Sequence, residues 1–527
     1  MSRGPGKVYL VGAGPGDPGL LTRRGEAVLS IADVIVYDHL ASARLLDLAP
    51  ADALRIRAGK SIGHCTLSQD EIHEVLIEHA RAGRNVVRLK GGDPLVFGRG
   101  AEEALQLHAA GIPFEIVPGV TAGVGVTAYA GIPLTHRAAA SAVAFVTGHG
   151  DPESNPGQSG LDWEAIARFP GTLVVYMGVT HLAAICRTLL RLGKPGDTPA
   201  AIIEAGTLAS QHTVVATLET IAPIARTARS GGVRPPALLV VGAVVALRQE
   251  LAWYERLPLF GQRIVITRPA EEGSRAAVAL EALGAEVLLA PTVLVRPIAN
   301  QAPLDAAIER LADYDWLVFT SANGVRFFLD RLEQRGRDLR ALGHLKLAAI
   351  GPATAAALAR FHLQADLLPG TYRSEALAED LGKHAQGRRI LLARADRGRT
   401  VLKDELQQLA DVDQVAVYHN VDAESLPDSV VERIVDGTID WITLTSSAIA
   451  TRLHGLLPEA ARQRVGREVR LASLSPVTSD AAARLGWNVS VEASVFTWEG
   501  LVQALVERIA RDRPGSLEPV APAPPHH

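Results

Sequence analysis

The sequence predicts an α/β protein of several domains: a parallel-sheet domain, a mixed-sheet domain, and after them a two-lobed α/β half. Three observations predict it. Short apolar, β-branched runs alternate with amphipathic stretches between Val8 and Val117, the pattern of strands joined by crossover helices. The following segment keeps that alternation, but Gln211 to Leu218 reads like an antiparallel strand, so its sheet is mixed. The last half repeats itself: DWLVFTS from Asp315 matches DWITLTS from Asp440, and Ile350-Gly-Pro352-Ala-Thr354 matches Leu474-Ser-Pro476-Val-Thr478, at offsets of 125 and 124 residues.

Taken in order, Val8 to Val11 is a short buried strand that runs into GAGPGDPGLLT and a helix over about 20–31. Strands follow at Val34–Tyr37, Leu54–Ile56, Val86–Leu89 and Phe114–Val117, with helices over Gln69–Arg81 and Gly98–Ala109. Between the third and fourth of these strands lies a turn of Gly91, Gly92, Asp93 and Pro94. Its glycines remove Cβ where a ligand could press on the backbone, Asp93 can cap or accept from a ligand hydroxyl, and Pro94 stiffens the exit. This turn should meet GAGPGDP, YDHL and PGVTAG (118–123) at the carboxyl edge of the sheet, where open α/β sheets bind ligands. It is not a dinucleotide fingerprint, because Asp17 stands where the third glycine belongs and Pro15 lacks an N–H. Nor is Gly59-Lys60-Ser61 a triphosphate loop, since Leu54 replaces its first glycine.

A second α/β unit begins near Ser141 and continues through TLVVYMGV (172–179), AIIEAGT (201–207) and PPALLVVGAVV (235–245). Trp253 to Gly261 closes it, and RIVITRP opens a new strand-loop-helix series. The boundaries expected are therefore 1–257 for the first half, with subdomains of about 1–138 and 139–250, a linker at 258–261, and a second half at 262–510. In each lobe of that half a strand ends in Thr-Ser and a helix starts at Pro-x-Thr. Hydroxyls and free N–H groups at helix starts suit anions, although each Thr or Ser taken singly could be only a cap. The proline-rich stretch 511–527 reads as a disordered tail, and its two terminal histidines carry no metal role.

At 527 residues, 48% hydrophobic and 21% charged, the chain is globular. Residues 1–260 hold 23 basic and 23 acidic side chains, leaving 30 and 34 for the rest, so no nucleic-acid footprint is present and an anionic substrate must be held by local arginines. No apolar run is long enough to span a bilayer and MSRGPGK has no signal core, which predicts a cytoplasmic protein without a membrane partner. Cys65 and Cys186 have no CxxC spacing and support neither a disulfide framework nor a zinc site.

With these motifs in hand, residues 7–254 resemble the uroporphyrinogen-III C-methyltransferases of the tetrapyrrole methylase family. The resemblance rests on VYLVGAGPGDPGLLT, YDHL, RLKGGDPLVFGRGAEE, VPGVTAGVGVTAYAGIPLTHR, VYMG and PPALLVVGAVV, in order along the whole first half. Residues 262–510 are similar to uroporphyrinogen-III synthase through ITRP, FTSANGV, AIGPATAAAL, VAVYHN, TLTSSA and SPVTSDAA. The first resemblance implies a two-domain methylase that binds S-adenosylmethionine, releases S-adenosylhomocysteine and forms a homodimer through this half. Its cofactor contacts would fall on Pro15, Gly91, Gly92, Asp93, Val96, Thr121, Ala122, Met177 and Gly206. It also implies Asp38 as proton acceptor and Lys60 as donor, and it makes Arg23, Arg24, Arg88, His136 and above all Arg137 candidates for holding substrate carboxylates.

The second resemblance implies a cofactor-free synthase that closes hydroxymethylbilane to uroporphyrinogen III with inversion of the last ring. Lobe one would be discontinuous, 262–297 with 423–510, and lobe two 298–422. Thr320, Ser321, Thr445 and Ser446 would bind the acetate and propionate arms, and Tyr418 would assist loss of the hydroxyl. Together the two imply a bifunctional enzyme that makes uroporphyrinogen III and methylates it at carbons 2 and 7 to precorrin-2. Val8 already begins the methylase strand, so oxidation and iron insertion are expected elsewhere. The alternative expectation is a methylase whose second half only binds tetrapyrroles; a nucleotide-dependent oxidoreductase is disfavoured by the missing glycine.

Overall fold

The computed structural model describes residues 6–38, 41–50, 52–58, 67–149, 152, 160–228, 231–397 and 400–512. The chain divides into two compact units, one running to Gln262 and taking in Leu280–Glu286, the other holding Arg263–Ala279 and the chain from Val287 on.

In the first unit, β1 (Val8–Gly12), β2 (Val34–Tyr37), β3 (Leu54–Arg57), β4 (Val86–Lys90) and β5 (Phe114–Val117) form one sheet in the order β3-β2-β4-β1-β5, every pair parallel. Helices at Gln69–Arg81 and Gly100–Ala109 cover one face through Ile72, Leu76, Ala104 and Leu107. Ser68 and Glu71 form a reciprocal capping box that starts the first of these helices. The other five strands of the unit are β6 (Val143–Thr147), β7 (Thr172–Tyr176), β8 (Pro199–Glu204), β9 (His212–Thr217) and β10 (Ala237–Val241). They run in the order β6-β7-β10-β8-β9, with only β6 and β7 parallel, which is the mixed sheet that the Gln211–Leu218 alternation predicts. Leu259 is fully buried, so the expected linker at 258–261 is packed and not a free connector.

The second unit has two five-stranded sheets. Its strands are β11 (Arg263–Ile266), β12 (Glu286–Leu289), β13 (Val293–Pro297), β14 (Trp316–Phe319), β15 (Lys346–Ala349), β16 (Arg389–Ala395), β17 (Asp411–Asp422), β18 (Trp441–Leu444), β19 (Arg470–Ser473) and β20 (Val489–Glu492). One sheet runs β12-β11-β18-β19-β20 and the other β13-β17-β16-β14-β15. The discontinuous lobe is thus visible, but its boundary needs correcting. Val293–Pro297, expected in lobe one, pairs antiparallel with Tyr418–Asp422 and so belongs to the second lobe's sheet. The expected tail boundary at 511 also needs correcting: Arg511 and Asp512 end the helix Trp498–Asp512, held by Leu501, Leu505 and Ile509, and residues 513–527 lie outside the described residues.

Candidate functional site

The first unit gathers its glycine loops at the carboxyl edge of β1, β4 and β5. Gly14 and Gly92 exchange two backbone hydrogen bonds, Gly14 N to Gly92 O at 3.2 Å and Gly92 N to Gly14 O at 2.7 Å. A Cβ on Gly119 would stand 2.3 Å from Gly92 O and 2.7 Å from the Cα of Gly12, so three strand ends touch backbone to backbone and tolerate only hydrogen there. Asp93 fastens the junction: Oδ2 accepts from Gly119 N at 3.0 Å and Oδ1 from Leu95 N at 2.8 Å. Each oxygen keeps a further lone pair, so this structural use leaves room for a ligand hydroxyl.

Around this junction the backbone is strained. Phe97, Arg99, Met177, Ala205 and Thr207 have φ between +48° and +70° without being glycine. Such conformations cost about 1–3 kcal/mol each and collect at ligand sites. Met177 is also half exposed, a position that core packing does not explain. Tyr176, which sequence reasoning missed, ties the edge to the mixed sheet. Its hydroxyl lies 2.7 Å from Thr121 Oγ1 and accepts from Gly123 N at 2.6 Å, while Phe97 packs on its ring. Burial pushes the Tyr176 phenol up, so it remains a neutral hydrogen-bonding post. Gly206 lies against Val126, and Thr207 accepts from Asp17 N at 3.0 Å while Gln211 Oε1 receives the Thr207 N–H at 2.8 Å. Val96 and Ala122 pack on the same apolar cluster as Tyr176 and Val126. Half-buried Pro15 lies within the loop that carries Gly14 and Asp17, and Gly91 directly precedes Gly92. Seven of the nine predicted cofactor positions thus lie on loops at this edge or just beyond it, while Met177 and Gly206 follow strands of the mixed sheet, which Tyr176 and Val126 bring against it.

Behind that edge is a buried charge cluster. Arg88 and Lys90 project from β4 toward Glu103, which is fully buried. Its Oε1 accepts from Lys90 Nζ at 2.7 Å, Arg88 Nε at 3.2 Å and Gln69 Nε2 at 3.2 Å. Arg88 then reaches forward, 2.6 Å from Asp38 Oδ1 at the end of β2. Burial pushes the Glu103 carboxyl up, but Arg88 and Lys90 outweigh it and hold it below the usual range; burial and Arg88 together push Lys90 down. The expectation that Arg88 holds substrate carboxylates fails, because its side chain is 3% exposed and fully engaged by this cluster. Arg24 pairs with Glu115 at 2.7 Å but, unlike Arg88, stays exposed. Arg137 and His136 are exposed on a turn. Lys60 lies outside the described residues, as does Cys65. Cys186 is a buried thiol pushed up to about 11 by burial, and so is inert.

In the second unit the repeat is a repeat of helix starts. Ser321 and Ser446 cap the helices Ala322–Gln334 and Ser447–Leu456, accepting from Gly324 N at 2.9 Å and Ile449 N at 3.3 Å. Thr320 and Thr445 precede them, half buried. Pro352 and Pro476 open the next helix in each lobe from extended Gly351 and Ser475. Tyr418 enters through a register shift of β16 against β17 at Arg394/Ala395, which skips Val417 and turns Tyr418 into the core of its lobe. There its hydroxyl is 3.0 Å from Ser321 Oγ and its ring stacks on Phe327. Burial pushes the phenol up and the Ser321 contact pulls it back. Ser321 and Tyr418 are thus brought together, while Thr445 and Ser446 stand on the other sheet without a direct bond to them.

These features define a class: an α/β protein with glycine loops gathered at a parallel-sheet edge in its first unit and Thr-Ser helix caps repeated on the two sheets of its second. Comparison with known proteins narrows it. The tetrapyrrole (corrin/porphyrin) methylases match residues 7–222 and uroporphyrinogen-III synthase HemD matches 274–503. The porphyrin biosynthesis protein HemD of Ruminiclostridium josui is 34% identical over 513 residues, 95% of this chain and 98% of the relative. An S-adenosyl-L-methionine-dependent uroporphyrinogen III methyltransferase of Methanosarcina barkeri is 52% identical over 251 residues, 48% of this chain and 96% of that one. The uroporphyrin-III C-methyltransferase of Thermus thermophilus, solved with S-adenosyl homocysteine, is 44% identical and aligns with a TM-score of 0.39 over 46% of this chain and 100% of that one. The chain belongs to the tetrapyrrole methylase family in its first half and to the uroporphyrinogen-III synthase family in its second, a fusion of the two.

Proposed function

We propose that the second half closes hydroxymethylbilane to uroporphyrinogen III with inversion of the last ring, and that the first half methylates this product at carbons 2 and 7 to give precorrin-2. The single observation that carries the reading is the 34% identity to one porphyrin-biosynthesis relative across both halves. The name of the 52% identical relative supplies the methyl donor and the acceptor for the first half.

S-adenosylmethionine, when bound, supplies a methyl group on a sulfonium sulfur. The strand edge fits it: half-exposed Met177 with Val96 and Phe97 offers apolar contact, the glycine loops let the backbone approach, and Asp93 retains lone pairs for a hydroxyl or an amino group. Methyl transfer forms a carbon–carbon bond as the methyl–sulfur bond breaks, in line, so most of the catalysis is positioning. Asp38 takes the proton that leaves the macrocycle, Lys60 serves as donor, and exposed Arg137 meets the substrate carboxylates. In the second half Tyr418, oriented by Ser321, donates to the departing hydroxyl, while Thr320, Thr445 and Ser446 with their free helix N–H groups hold acetate and propionate arms. The first half serves as the homodimer contact and the protein works in the cytoplasm; none of its described helices is long and apolar enough to cross a membrane.

The test is isomer analysis of the product from fresh hydroxymethylbilane, with and without S-adenosylmethionine. Isomer III alone, converted to a doubly methylated chromophore when the donor is added, supports both activities. Isomer I alone, with supplied uroporphyrinogen III still methylated, would reduce the second half to a binding module.

A further inference from the structure

The Arg88–Lys90–Glu103 cluster is costly to bury and does not pack like a core. Two cations and a carboxylate are almost wholly removed from water, and such a group often stabilises no more than apolar residues of its volume would. Its geometry has a direction. Glu103 Oε1 gathers three donors, from β4 and from the start of the helix Gln69–Arg81, and its Oε2 has no hydrogen-bond partner. Arg88 is the member that leaves the cluster: Nε is held by Glu103, NH1 lies 3.4 Å from Val36 O, and NH2 lies 2.6 Å from Asp38 Oδ1. The guanidinium is fixed at three points of its planar fork, and the last is a carboxylate that is 30% exposed at the sheet edge.

We propose that Arg88 is a positioning residue for Asp38, clamped from behind by Glu103 with Lys90 as its counter-charge, so that one oxygen of Asp38 is held and the other is presented to the substrate. The inference rests on the reading of Asp38 as the proton acceptor in methylation. Lysine at position 88 keeps the charge, but a single ammonium cannot reach Glu103, Val36 O and Asp38 together. A carboxylate released by about an ångström loses near-attack geometry, which costs a catalytic step up to about 100-fold.

The experiment is a double-mutant cycle on the full chain, reading methylation of supplied uroporphyrinogen III. Its variants are Arg88→Lys, Asp38→Asn and the pair. Arg88→Lys should lower kcat about 10- to 100-fold with the KM for S-adenosylmethionine little changed, and the pair should be no slower than Asp38→Asn alone. Fold is read by calorimetric binding of S-adenosylhomocysteine. If Arg88→Lys does not fold, the double variant Lys90→Met/Glu103→Gln, which removes one charge of each sign, takes its place with the same expected kcat loss. Losses that multiply fully in the pair, or a kcat unchanged by either clamp variant, overturn the proposal. An active Asp38→Asn beside a slow Arg88→Lys overturns it too, since the cluster would then act on something else. Absence of methylation by the unaltered chain instead sinks the methylase reading itself.

Discussion

The two halves build their candidate sites from opposite materials. In the first, the edge of the sheet is backbone packed on backbone at Gly12, Gly92 and Gly119, with strained residues around it and buried charge behind. In the second, neutral hydroxyls at Ser321 and Ser446 cap helices that the repeat places at corresponding strand ends, and one buried tyrosine meets the first of them from a shifted strand. The first design has no slack, because a Cβ has nowhere to go. The second is made of side chains, which can be changed one at a time. A site made of backbone demands particular residues and leaves a dense motif; a site made of caps leaves only scattered Thr-Ser pairs.

The sharpest way to break this contrast is to add one carbon to the first site. Gly119→Ala should cost about 3 kcal/mol, at the upper end for overpacking, and abolish S-adenosylhomocysteine binding; a normal urea midpoint with intact binding would show that the junction is more pliant than its 2.3 Å approach implies. Next in size, Tyr418→Phe should slow isomer III formation by about 100-fold with little change in melting temperature, since only a hydroxyl contact to Ser321 is lost. Ser321→Ala and Ser446→Ala should each cost about 1 kcal/mol as lost caps. The former should also lower kcat for ring closure through Tyr418 and the latter raise the KM for hydroxymethylbilane, which stopped-flow assay of the two variants would separate. The smallest effect belongs to the rim of the first half. Glu115, paired with Arg24 and Lys7, is held down at about 2 against an ordinary 4.5. A depressed carboxyl stabilises the fold above pH 4.5 and loses that contribution as the pH falls toward 2. Solvent screening keeps it below about 1 kcal/mol, so Glu115→Gln should only flatten the acid limb of the stability curve.

Much of this was legible beforehand, and unevenly. The predicted cofactor positions on the loops after β1, β4 and β5 meet because a parallel sheet brings its strand ends to one edge, whereas Met177 and Gly206 follow strands of the mixed sheet and approach that edge only through the contacts of Tyr176 and Val126. Tyr176 was missed, since a tyrosine closing an apolar strand reads as core until Thr121 and Gly123 are found at its hydroxyl. Arg88 was misread for the related reason that burial is invisible in a lone charged residue; only the approach of Glu103 from a helix fifteen residues later reveals it. The lobe boundary slipped because Val293–Pro297 is a plausible strand for either sheet, and its partner, Tyr418–Asp422, is more than a hundred residues away.

The sequence by itself determined the periodicities, the glycine turns, the internal repeat and hence the α/β class, because these are local consequences of side-chain spacing and backbone freedom. Tertiary structure decided what each charge and hydroxyl is for. Asp93 became a fastener by meeting Gly119, Arg88 a clamp by meeting Glu103 and Asp38, and Tyr418 a neighbour of Ser321 through one skipped residue in a strand pair. Hydrogen bonds and ion pairs act over about three ångströms, and which groups come that close is settled only when distant segments pack.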